Sequence, residues 1–158
     1  MTNLKQRLMT ISSLPGRSGL ASFRPFLKGL TEDETREFEH AWRNMILLMP
    51  DLLERIRREA SAGEDPAARK LFGFLLTYIY LEKDLIPEDE NGFFGYVDDA
   101  YLVTAAHRRI AGMNAMPESK AWLETVRRVV PKEAARLDEM LDELLMGRTE
   151  AYRAAVAS

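Results

Sequence analysis

The chain has 158 residues and a net charge of −3, with 46% hydrophobic and 30% charged residues, the balance of one globular domain spanning 1–158. It has no cysteine, which excludes disulfides, thiolate metal sites and cysteine nucleophiles. The net charge gives no global attraction to nucleic acid.

The first residues, "MTNLKQRLMTISSLPG", lack the apolar run of a signal peptide. The longest apolar run, Leu71 to Leu81, is shorter than the about 20 residues a membrane span needs. A soluble, cytoplasmic protein is the expectation.

In chain order, residues 2–13 predict a short helix ended by Pro15-Gly16, and residues 21–29 a second one interrupted near Pro25. At "TEDE", Thr31 reads as an N-cap with Glu34 three residues on, a capping box. Behind it Phe38, Ala41, Trp42, Met45, Ile46 and Met49 recur at helical spacing. Pro50 closes or kinks this segment. Residues 51–62 continue with Leu52, Leu53, Ile56 and Ala60 on one side.

"GEDP" is a turn with Asp65 capping and Pro66 at the first helical position. Residues 66–82 are the most apolar helix, expected at the centre. Residues 98–112 form its partner, with Val103, Ala106, Ile110 and Met113 on one stripe. Residues 117–130 carry Trp122, Val126, Val129 and Val130. Pro131 separates them from 132–146, where Leu137, Met140, Leu141, Leu144 and Leu145 make a seam short enough to be core rather than coiled coil. Gly147 reads as a C-cap, and the tail after Thr149 as a frayed turn. The sum is all-α: an irregular single-domain bundle of six to eight helices around an apolar hairpin of about 66–82 and 98–112.

The chemistry is sparse. No glycine-rich phosphate loop is present, and "PGRSGL" around Ser18 is not a nucleophile elbow. Neither His40 nor His107, the two histidines, sits in a His-x-x-x-His pattern, and His107 lies eight residues after Asp99, off its helix face. The arginine pairs Arg57-Arg58, Arg108-Arg109 and Arg127-Arg128 read as helix-face partners for acids.

The segment from Glu82 to Asp99 is different, with seven acids against Lys83 alone. A calcium-loop alignment on Gly92 puts Asp89, Asn91 and Asp98 at ligand positions, yet puts Pro87 where the first acid belongs. Asp98 and Asp99 read as openers of their helix. Phe93, Phe94 and Tyr96 read as rings folded onto the core. Asp84 follows the C-terminal end of the apolar helix, where the helix dipole disfavours an acid. An antiparallel hairpin would return it beside Asp98 and Asp99. Three carboxylates at one mouth call for an arginine or lysine among them, or for a cation.

"YIYLEKDLIPEDENGFFGYVDDAYLV", Tyr78 to Val103, resembles the hallmark segment of the YkvA-like family, a bacterial domain of unknown function. The matching runs are Asp84-Leu85-Ile86-Pro87-Glu88 and Gly95-Tyr96-Val97-Asp98-Asp99, and the motif region spans about 66–112. The chain departs at Glu82-Lys83, where relatives have Ser-Pro, and in the acidic connector "DENGFF", where theirs is apolar. The resemblance implies one unit of Asp84, Pro87, Gly95, Asp98 and Asp99, and it implies no reaction, substrate or cofactor.

The leading expectation is a non-enzymatic module with no catalytic residues and no cofactor, acting through a protein partner and not through nucleic acid, with the acidic hairpin mouth and the exposed arginine pairs as its interaction surface. The second is a divalent-cation-binding protein or metal-dependent hydrolase. It would use Asp84, Asp98 and Asp99 around Mg, Ca or Mn, assisted by Glu88 or Asp89. The third, disfavoured by the adjoining acids, is a peripheral membrane protein inserting Phe93, Phe94 and Tyr96.

Overall fold

The computed structural model describes residues 2–12, 29–63, 66–80, 92–111 and 115–157. These contain six α-helices and no strand. They are α1 (Thr2–Ser12), α2 (Glu32–Ala62), α3 (Pro66–Ile79), α4 (Val97–Ala111), α5 (Pro117–Val129) and α6 (Pro131–Ala157), with a 3-10 turn at Gly92–Tyr96 before α4. The expected helix at 21–29 and the capping role of Asp65 lie outside the described residues.

Helix α2 starts where its cap places it. Thr31 is extended, and its Oγ1 accepts the Glu34 N–H at 3.1 Å, satisfying one of the donors every helix start leaves open. The Glu34 carboxylate is turned to Arg128, which donates to it at 2.8 Å. Pro50 does not close the segment: α2 runs through it to Ala62. A proline there removes one intrahelical bond. The buried stripe is nonetheless unbroken, with Met45, Ile46 and Met49 before it and Leu52, Leu53 and Ile56 after it. That continuous apolar face holds both halves in one helix.

The other prolines among the described residues, Pro66, Pro117 and Pro131, each stand first in a helix, where the missing N–H costs no bond. Gly147 is not a C-cap, since α6 continues to Ala157. A mid-helix glycine costs only about 1 kcal/mol against alanine, and the following "TEAYRAAVA" is rich in helix formers.

Helices α2 and α4 form the broadest contact, and α3, α5 and α6 close around α4. The two arms of the expected hairpin are unequal. In α3, Ala68, Leu71, Leu75, Tyr78 and Ile79 are buried, while Phe72, Phe74 and Leu76 are half-buried. In α4 every residue from Val97 to His107 is buried. The more apolar helix is therefore the more peripheral one. Ala100, Ala105 and Ala106 let neighbours approach α4 from several sides, and Asp98, Tyr101, Arg108 and Arg109 make the polar contacts described below.

Leu102→Ala, emptying a fully buried site on α4, is expected to cost about 2–5 kcal/mol. Leu76→Ala, on the half-buried side of α3, is expected to cost clearly less. Chemical denaturation of both variants checks the ranking.

Candidate functional site

The 3-10 turn feeds directly into α4. Its rings are interior: Phe93, Phe94 and Tyr96 are all buried. Phe93 and Phe94 meet edge-to-face at 5.2 Å, and Trp42 of α2 lies 6.4 Å from Phe94. The Arg43 guanidinium, also on α2, stands 5.2 Å from the Phe93 ring centre and 5.8 Å from that of Phe94. The expectation that these rings fold onto the core holds. In this structure the three rings face the core and not solvent. Among the described residues no helix is long and apolar enough to cross a membrane.

Because α4 begins at Val97, Asp98 and Asp99 are its second and third residues and not its cap. Both are buried, 1% and 0% exposed. Ionised carboxylates this deep need donors or positive charge around them. The start of α4 places the positive end of the helix dipole beside both carboxylates. Tyr78, near the C-terminal end of α3, donates its hydroxyl to Asp98 Oδ2 at 2.8 Å. This bond joins the end of α3 to the start of α4 and closes the hairpin from inside. Asp84 lies outside the described residues, as do Pro87, Glu88, Asp89 and Asn91. Among the described residues no three of His, Asp and Glu are grouped to hold a metal ion.

One turn further along α4, Tyr101 donates to Asp138 Oδ1 of α6 at 2.7 Å and accepts from Arg127 Nε of α5 at 2.9 Å. Burial, followed by the bond to Asp138, raises the Tyr101 hydroxyl well above the usual phenol range. It therefore stays a neutral donor. At the other end of α4, Arg108 donates to Ser119 Oγ at 2.8 Å and to the Met116 carbonyl at 3.2 Å. Arg109 meets Asp142 at 2.7 Å. These guanidinium groups also sit where the helix dipole favours cations.

Arg57 and Arg58 both pair with Glu54, and Arg128 with Glu34. Arg57-Arg58 thus pair along their own helix, and Arg108-Arg109 and Arg127-Arg128 make contacts between elements. His40 is exposed, its Nε2 3.3 Å from Asn44 Nδ2. His107 is buried, and burial, with the Arg55 charge second, pushes its pKa below the ordinary 6.5.

Sequence reasoning missed Tyr78 and the Tyr101–Asp138–Arg127 group. One signal was available: a tyrosine on the buried side of an apolar helix needs a partner for its hydroxyl.

The family model for a protein of unknown function, DUF1232, matches residues 68–105. The chain thus carries a DUF1232 domain, which includes the YkvA-like resemblance and spans most of α3, the connector, the 3-10 turn and the first part of α4. No curated protein and no solved structure matches the chain.

Two outcomes follow. Tyr78→Phe, which keeps the ring and removes the donor to Asp98, is expected to cost about 1–3 kcal/mol of folding stability, read by denaturant titration. For His107 the sign is set by its lowered pKa. Near neutral pH the ring is uncharged in both states. Below about 6.5 the unfolded chain binds the proton first, so stability falls until the folded pKa is reached and then levels off. His107→Leu is expected to flatten that part of the decline in a series of melts from pH 7 to pH 5.

Proposed function

We propose that the chain is a non-enzymatic DUF1232 module that acts through protein contacts, with the α3–α4 hairpin as a scaffold for its acidic connector. One observation carries this reading. The motif residues that bear chemistry, Asp98, Asp99, Phe93, Phe94 and Tyr96, are enclosed in the bundle. Their work is to hold the hairpin, and the arginine pairs are engaged within the fold as well. That leaves Asp84, Glu88, Asp89 and Glu90 as a run of negative charge carried between two anchored helices. Its complement is a basic protein surface, with charge steering the encounter.

The burial of two adjacent carboxylates favours a second reading, a divalent cation held by Asp84, Asp98 and Asp99. Oxygen donors of this kind suit Mg, Ca or Mn.

Affinity capture from the source cell with the wild type and with a Glu88→Gln, Asp89→Asn, Glu90→Gln variant tests the first reading. A partner retained by the wild type and lost from a variant of unchanged helicity is the expected result. Capture that is indifferent to the connector, together with turnover in an activity screen, overturns it. Titration calorimetry with the three ions separates the readings: the scaffold reading expects no binding heat, and heat that disappears in Asp98→Asn assigns the cation instead.

A further inference from the structure

We propose that the outward face of α3 is a self-association surface, covered by α3 of a second copy of this chain running antiparallel to it. The inference concerns a different surface from the connector and does not depend on that reading. On the side of α3 away from α2 and α4, Lys70, Gly73, Thr77 and Tyr80 are all exposed. Their spacing of three, four and three residues makes one straight seam along the helix. Half-buried Leu76 and Phe74 flank it on either side. Tyr80, at 66%, is the more exposed of the two large apolar side chains that stand open among the described residues.

Gly73 is the position the rest of the chain does not explain. It lies inside a helix, where glycine is among the poorest formers, and a Cβ built on it would meet nothing within 4 Å. Among the described residues no neighbour requires its lack of a side chain. Close approach by another backbone does. One turn on, Thr77 Oγ1 donates to the Gly73 carbonyl at 2.9 Å. Its hydroxyl is therefore satisfied within the helix, which lowers the cost of covering this part of the seam.

Charge selects a second copy as the occupant. The sequence of α3 and Tyr80, "PAARKLFGFLLTYIY", contains Arg69 and Lys70 and no acid. Both cations stand near the helix N-terminus, which the dipole disfavours. Arg69 is tied to the Ala60 carbonyl at 3.1 Å. An antiparallel copy related by a two-fold axis at the level of Leu75 brings Lys70 beside the negative C-terminal end of the other α3 and the ring of its Tyr80. The same symmetry sets Gly73 opposite Thr77, and every contact occurs twice.

Sedimentation analysis of the full chain up to hundred-micromolar concentration tests this. A reversible dimer is expected, and its dissociation constant is expected to rise at least about tenfold in Gly73→Leu and in Lys70→Glu. Thermal melts of dilute Gly73→Leu are expected to show no loss of stability, since the added side chain enters open space. Should that variant misfold, Lys70→Glu carries the comparison. The cysteine-free chain allows a second readout: under oxidation, Gly73→Cys mixed with Thr77→Cys is expected to cross-link more than either variant alone. A chain that stays monomeric overturns the proposal, whether or not α3 then meets a different protein. A dimer unmoved by both substitutions overturns it too, and self-pairing of the single cysteines overturns the antiparallel register.

Discussion

Two neighbouring carboxylates buried at the start of α4 constrain everything around them. Moving an ionised carboxylate out of water costs several kcal/mol even after the protein relaxes. Asp98 and Asp99 can occupy that position only if donors meet them in fixed geometry. The Tyr78 hydroxyl is one such donor, and the positive end of the α4 dipole lies beside both acids. A hydrogen bond of this kind tolerates little displacement. It therefore fixes both the rotation of α4 and its height against α3. Once those are set, Tyr101 faces Asp138 and Arg127, and Arg108 and Arg109 arrive at α5 and α6. The helix is acidic at its positive end and basic at its negative end, so each cluster also complements its dipole.

This explains why α4 is enclosed although α3 is the more apolar. Apolar burial is proportional to area and indifferent to direction. It draws α3 onto the bundle without requiring that all of α3 be covered. Alanines let neighbours close on α4, and Asp98, Tyr101, Arg108 and Arg109 make bonds to α3, α5 and α6. A helix that carries directional contacts to three neighbours must lie between them.

The parts of the fold set by local chemistry were legible in the sequence. Thr31 shows the start of α2, and the spacing from Phe38 to Ala60 shows its buried face. Pro66, Pro117 and Pro131 mark helix beginnings, and Leu137 and Leu141 mark the inner side of α6. The parts that failed were those where a local signal met a longer-range one. Pro50 is a helix breaker by its own chemistry, yet it sits within a stripe of buried residues that continues on both sides. Gly147 carries a capping signal that good helix formers beyond it outweigh. At the candidate site, Asp98 and Asp99 were legible as helix openers, but their depth was not. Exposure depends on which elements cover a turn, and Tyr78 and Asp98 are twenty residues apart with no periodicity joining them. Arg127 and Asp138 meet Tyr101 from two other helices, so no single window of sequence contains that group.

The matched segment, residues 68–105, contains Tyr78, Asp98, Asp99 and the rings of the 3-10 turn, while Arg108, Arg109, Arg127 and Asp138 lie beyond it. The interior latch thus belongs to the part of the chain that resembles other proteins, and the arginine contacts to α5 and α6 belong to the remainder. Buried ionic groups are a poor route to stability alone, because well-packed apolar residues of similar volume often serve as well or better. What they add is a single permitted arrangement, since any other leaves a charge buried without its donor. For two helices joined by a long connector, that arrangement fixes where the connector leaves α3 and where it returns to α4. The Tyr78–Asp98 bond thereby ties together the two helix ends that residues 81–91 connect in the sequence.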